Sequence, residues 1–218
     1  MGISAKSQRY KHLEKELTSL RRHLLPKKFS PIGKYRTSVI TKTIAYRIMT
    51  HAEIEEYLEE RAWNIAIESI NQFERINKIN RVIACLIAFS GQNMAGPPDT
   101  LACPSGNNVQ DWAAKLSLTD KAKSALTTFK SKIERNNGIR EKDILTLLLP
   151  IGIKPDQIDR VWLSTIDAFG QKRGLVAHHS SINYRAKHQL DPKTELDTVN
   201  NILFGLREID NYLNHLKQ

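Results

Sequence analysis

The sequence predicts an all-α fold, a helical bundle with an additional basic helix at its amino end. Apolar residues recur at spacings of three and four, and no stretch alternates with period two for more than a few residues. Cap and turn residues stand where such helices would begin and end. The 218 residues, 40% hydrophobic and 26% charged, suit a chain that buries a single core.

Leu13, Leu17, Leu20 and Leu24 place an amphipathic helix from about Ser7 to Leu25, and Pro26 ends it. Residues 26–36 hold two prolines and a glycine and read as a loop. Thr50 and Glu53 form a capping-box pattern, which predicts a long helix starting there with Ile54, Leu58, Ala62, Ile65, Ser69 and Phe73 on its inner face. Residues 38–49 are rich in β-branched side chains and fit a helix or extended chain. Asn80–Ser90 is apolar nearly all round, which predicts a short helix in the middle of the core that buries Cys85. Gly91–Asn108 reads as a long loop. A helical pattern then runs from Val109 to Arg135, with a break near Ser117–Asp120. Asn136-Asn137-Gly138 has the composition of a left-handed cap. A short helix follows over Arg140–Leu149, and Pro155 or Asp156 opens the next one. Asp191-Pro192 supplies the cap and first-turn proline of a last helix, whose stripe is Leu196, Val199, Leu203, Leu206, Ile209, Leu213 and Leu216.

Charge divides the chain. Residues 1–36 carry ten Lys/Arg against Glu14 and Glu16, while the other 182 residues hold 23 bases and 21 acids. This separates a basic helix and loop, 1–36, from a near-neutral domain, 37–218. A basic segment on a neutral body fits a polyanionic partner, whether RNA, DNA or an acidic protein surface. Arg21, Arg22, Lys27 and Lys28 are its densest cations. No apolar run approaches the roughly 20 residues of a bilayer crossing, and no secretory or myristoylation pattern opens the chain. Cys85 and Cys103 are too few for a disulfide framework or a four-ligand zinc site; reduced thiols in a cytoplasmic protein are the simpler reading.

The sequence lacks a dinucleotide fingerprint, a Walker loop, a nucleophile elbow, a zinc-protease helix and a kinase set. His12, His23, His51, His188 and His215 are scattered beside helix-surface residues, and no two share a ligand-like spacing with a carboxylate. No metal or other cofactor is expected. One stretch, Phe169 to Ser180, differs. Ile158, Trp162, Ile166 and Phe169 mark an inward stripe that continues to Arg173. A guanidinium keeps its charge, so at an apolar position it must meet a carboxylate, a wet cleft or an outside anion. His178 lies five residues on, about 140° round and ~7.5 Å along an ideal helix. The two could share a site if Gly174 bends the helix or if a two-fold axis brings two copies together. The plainer account pairs Arg173 with one of the glutamates and leaves His178 to cap the helix end.

Arg173, four intervening residues and His178 match the R-x4-H motif of the HEPN superfamily (higher eukaryotes and prokaryotes nucleotide-binding). Ile133–Ile139, the Ile/Leu-rich helix after it and Pro150-Ile151-Gly152-Ile153 precede the motif in the order of RiboL-PSP-type HEPN domains. Tyr46–Ala62 resembles the first long helix of that group, so the resemblance covers roughly Thr37 to Gln218. It implies a helical bundle that forms a homodimer with two R-x4-H segments at one composite cleft. Many relatives are metal-independent endoribonucleases with toxin–antitoxin or anti-phage roles, which adds an antitoxin or inhibitor protein to RNA as an expected partner. In that setting Arg173 would hold phosphate and His178 would move protons; Lys172 and His179 would assist by binding phosphate, or simply be solvated neighbours. Two positions depart from the pattern. Gly174 stands where a polar residue, often Asn, commonly follows the arginine, and His179 doubles the histidine. Gly174 favours the alternative, a non-catalytic HEPN-fold module that binds nucleic acid or protein. Phe, Trp and Tyr fall mostly on core stripes, which leaves sequence-specific single-strand readout with little support.

Overall fold

The computed structural model describes residues 5–91, 117–177 and 190–216, with the backbone alone for 174–177. Among these residues the protein has seven α-helices and no strand. They are α1 (Gln8–Leu24), α2 (Thr37–Ile76), α3 (Arg81–Phe89), α4 (Leu118–Glu134), α5 (Glu141–Leu148), α6 (Arg160–Ala177) and α7 (Pro192–His215). A 3-10 turn, Pro155–Gln157, precedes α6. No described helix is long and apolar enough to cross a membrane.

The spine is α2, 40 residues and roughly 60 Å long, against which every other helix packs. It begins at Thr37 and runs through the Thr50–Glu53 capping signal. Thr50 is a buried interior residue, not a cap. A cap is worth about 1 kcal/mol, whereas continuing the helix upstream buries Ile44 and Tyr46. The β-branched stretch is helical, with Thr41 and Thr43 hydroxyls donating to the carbonyls of Thr37 and Val39 at 3.0 and 2.9 Å. Asn77, at φ 51°, ends the helix by donating its N–H to the Phe73 carbonyl.

Three further expectations need correction. α3 buries Val82, Ile83 and Leu86 but leaves Phe89 58% exposed and Cys85 partly exposed, because α2 and α4 cover only one side of it. The turn directly after α4, residues 135–138, uses no left-handed residue. Instead Asn136 donates its side-chain amide to Glu59 and to the Gly138 carbonyl, at 2.7 and 3.0 Å. A Cβ on Gly138 would lie 2.7 Å from the Asp143 carboxylate, so close approach is what favours glycine there. Pro155 opens only the 3-10 turn, and Asp159 caps α6 by accepting the Trp162 N–H at 2.7 Å. The loop expected at Gly91–Asn108 lies, beyond Gly91, outside the described residues, as do 109–116 and Cys103.

The basic helix α1 starts and stops where expected, capped by Ser7. Tyr10, Leu13 and Leu17 join the same core as residues 37–218, so α1 has no core of its own. Asp210, fully buried, anchors this junction. It accepts from the Ser7 N–H and hydroxyl at 2.9 and 2.6 Å and from Tyr57 at 3.1 Å, and it pairs with Arg61 at 3.2 Å. Burial, then the Asp210 charge, holds the Tyr57 phenol well above its ordinary pKa. A second buried pair, Arg47 with Glu195, joins α2 to the start of α7.

Asp210→Ala is expected to cost about 3–5 kcal/mol in urea unfolding, because Arg61 would remain buried without its carboxylate. Glu59 offers a milder test. Its pKa is raised, chiefly by burial, so the fold disfavours its charged form. Glu59→Gln keeps the acceptor for Asn136 and should raise the melting temperature at pH 7–8. That gain should shrink as acidification protonates the wild-type carboxyl.

Candidate nucleic-acid interface

The helix directions decide which charges meet. Arg9 on α1 pairs with Glu56 and Glu60 of α2, and Arg21 stands near Tyr46, so α1 runs antiparallel to α2. Glu195 meets Arg47 and Asp210 meets Arg61, so α7 runs parallel to α2. The Trp162 indole donates to the Ile202 carbonyl at 3.0 Å, while Phe169 lies against His51 and shares a surface groove with Thr198. Thus α6 runs antiparallel to both. The end of α1, the loop after it, the start of α2, the end of α6 and the start of α7 therefore gather at one end of the bundle. A Cβ on Gly33 would come within 4.0 Å of the Asp191 carboxylate, so the loop reaches the first residue before α7.

At this end Arg21, Arg22, Lys27, Lys28, Lys34, Arg36 and Lys42 are exposed, and none forms an ion pair among the described residues. The nearby acids are already engaged. Glu195 pairs with Arg47, Asp197 with Lys193, and Asp191 caps α7 by accepting the Thr194 N–H at 2.8 Å. An uncompensated positive field remains, screened by solvent alone.

The inward stripe holds as expected: Ile158, just before α6, and Trp162, Ile166 and Phe169 within it are buried. Arg173 follows one turn on, partly buried, and pairs with no carboxylate among the described residues. Asp167, the acid nearest it on α6, is taken from the other side. It accepts from Glu141 N–H at 3.0 Å, Gln171 at 2.6 Å and Arg140 at 3.3 Å. These bonds, the Glu141 amide first, hold its pKa below the ordinary carboxylate value. Lys172 is exposed beside Arg173. α6 continues through Gly174 to Ala177. His178 and His179 lie outside the described residues.

His51 corrects the reading of that residue as a surface histidine. It is 1% exposed in the seam between α2 and α6, with its ring 6.5 Å from that of Phe169 and 21° from parallel. Its Nδ1 lies 3.4 Å from the Glu55 carboxylate and makes no hydrogen bond among the described residues. Stepping the α2 stripe back from Ile54 by threes and fours reaches His51 and then Arg47. The same extension that singled out Arg173 on α6 would therefore have found both, had the helix not been expected to start at Thr50.

Neither the curated proteins nor the solved structures contain a match to the chain. The model of one family, RiboL-PSP-HEPN, matches residues 8–215. The match begins in the first turn of α1, not at residue 37, in keeping with the place of α1 in the shared core. From that first turn to the last residue of α7, the chain belongs to the RiboL-PSP-HEPN family.

Proposed function

We propose that this protein is an endoribonuclease of HEPN type whose chemistry needs no metal, acting on RNA at a cleft shared by two copies. The supporting observation is the partly buried Arg173, which meets no carboxylate among the described residues, at the end of the bundle where cations without a described ion pair gather. RNA carries its own nucleophile. Attack of the 2′-oxygen on the adjacent phosphorus, with loss of its proton, breaks the bond to the 5′-oxygen, which leaves protonated. The products are a 2′,3′-cyclic phosphate and a 5′-hydroxyl. Arg173 would offer forked donors to the phosphate oxygens as charge builds on them, and His178 would carry the proton. Lys172 and His179 would add phosphate contacts. In a helix continuing through this segment, Arg173 and His178 would point about 140° apart. A second copy, related by a two-fold axis, would bring an arginine and a histidine to one phosphate. Arg21, Arg22, Lys27 and Lys28 would hold the backbone on either side, sequence-blind and salt-sensitive. A role as toxin or anti-phage effector, held by an antitoxin or inhibitor, follows the same reading.

Gly174, in place of a polar residue, favours a second reading in which the same surface binds RNA without cutting it. Incubation with mixed RNA in EDTA separates the two. Cleavage slowed about 10²–10³-fold or more by Arg173→Ala and by His178→Ala is the expected result. Bound but intact RNA would select the module.

Because α1 is part of the core, its removal would unfold the protein, and surface substitutions are the better probe of the basic end. Replacing Arg21, Arg22, Lys27 and Lys28 by Gln should leave the melting temperature nearly unchanged. The slope of log affinity for single-stranded RNA against log salt should fall by up to about 0.7 for each phosphate no longer neutralised. An unaltered slope would remove these residues from the interface.

A further inference from the structure

The most exposed large apolar side chains among the described residues are Val161, at 76%, and Phe204, at 75%. Both line one groove between α6 and α7, away from the basic end. A Cβ at Gly205 would lie 2.0 Å from the Trp162 indole, so glycine lets that ring lie against the α7 backbone. The resulting trough has Trp162, Ile209 and Tyr212 among its lining residues, encloses about 570 Å³, and extends from Asn201 to Tyr212 along α7. That is roughly 16 Å, or about three helical turns. Its charged lining residues are Asp156, Asp159 and Glu208. None of these carboxylates forms an ion pair among the described residues, and no cation lines the groove. Arg160, next in sequence, lines the neighbouring grooves, one of which it shares with Asp156, Asp159 and Val161, yet it pairs with neither acid among the described residues. In a chain with 33 bases to 23 acids, three carboxylates without an ion pair among the described residues stand out around the most exposed apolar pair, although one of them, Asp159, also caps α6.

We infer that this groove docks a basic amphipathic helix of a partner protein, with apolar side chains against Val161 and Phe204 and Lys or Arg toward the three carboxylates. Charge complementarity selects this occupant. The acidic rim repels RNA, and a second copy placed about a two-fold axis through Phe204 would set the carboxylates against their own counterparts. An amphipathic helix in an apolar groove matches both the length and the lining. The inference does not rest on RNA cleavage, and its failure would leave the nuclease reading untouched.

The test uses the full chain and two labelled helical peptides of about four turns, with the same leucine face and either Lys or Glu elsewhere, read by fluorescence anisotropy. The Lys peptide should bind at least about tenfold more tightly than the Glu peptide, and more weakly as salt rises. Phe204→Ser, and separately Asp156→Asn with Asp159→Asn and Glu208→Gln, should each weaken it about tenfold or more with unchanged thermal melts. Asn at 159 keeps the α6 cap. Equal binding of the two peptides, no binding of the Lys peptide, or wild-type affinity in these variants would overturn the inference. So would sedimentation showing a wild-type dimer that Phe204→Ser dissociates, since a second copy would then occupy the groove.

Discussion

A forty-residue helix cannot bury one face along its whole length unless neighbours cover all of it, and this requirement organises the protein. The other six helices each cover part of α2, and two buried ion pairs set where α7 lies along it. Arg47 with Glu195 and Arg61 with Asp210 stand about four turns apart on both helices. Sliding α7 by one turn would part both buried pairs, at a cost of several kcal/mol. The Asp210 cluster extends the same register to α1 through Ser7 and Tyr57.

Once that register is set, the surface charges fall into place. α1 serves two purposes at once: its leucines and Tyr10 enter the core while its later cations face solvent. Since α1 and α6 both run against α2, their carboxyl ends coincide, and Arg173 shares an end of the bundle with Arg21, Arg22 and the lysines of the loop. The described acids at that end are spent on caps and pairs, so its field stays positive. On the side wall between α6 and α7 the balance reverses, with carboxylates around exposed Val161 and Phe204.

Much of the fold was legible. The stripes of α1, α6 and α7 and the cap at Asp191 follow from local spacing, and Arg173 is conspicuous because it breaks such a stripe. Thr50 and Glu53 make a persuasive local start signal inside α2, which tertiary burial overrides. Arg47 lies upstream of that signal and His51 in the first turn it would open, so the signal leaves both off the inner face that they in fact occupy. The apolar run of α3 looked central because composition does not say how many sides of a helix will be covered.

By itself, the sequence determined the helical class, the amphipathic stripes and the odd cation at Arg173, since these depend on periodicities of three and four residues. Tertiary structure decided the directions in which the helices run, the burial of His51 and the Arg47–Glu195 pair, and the meeting of α1's cations with the end of α6. Those features join residues far apart in the chain. Their energies depend on which faces remain wet, and local spacing carries no record of that.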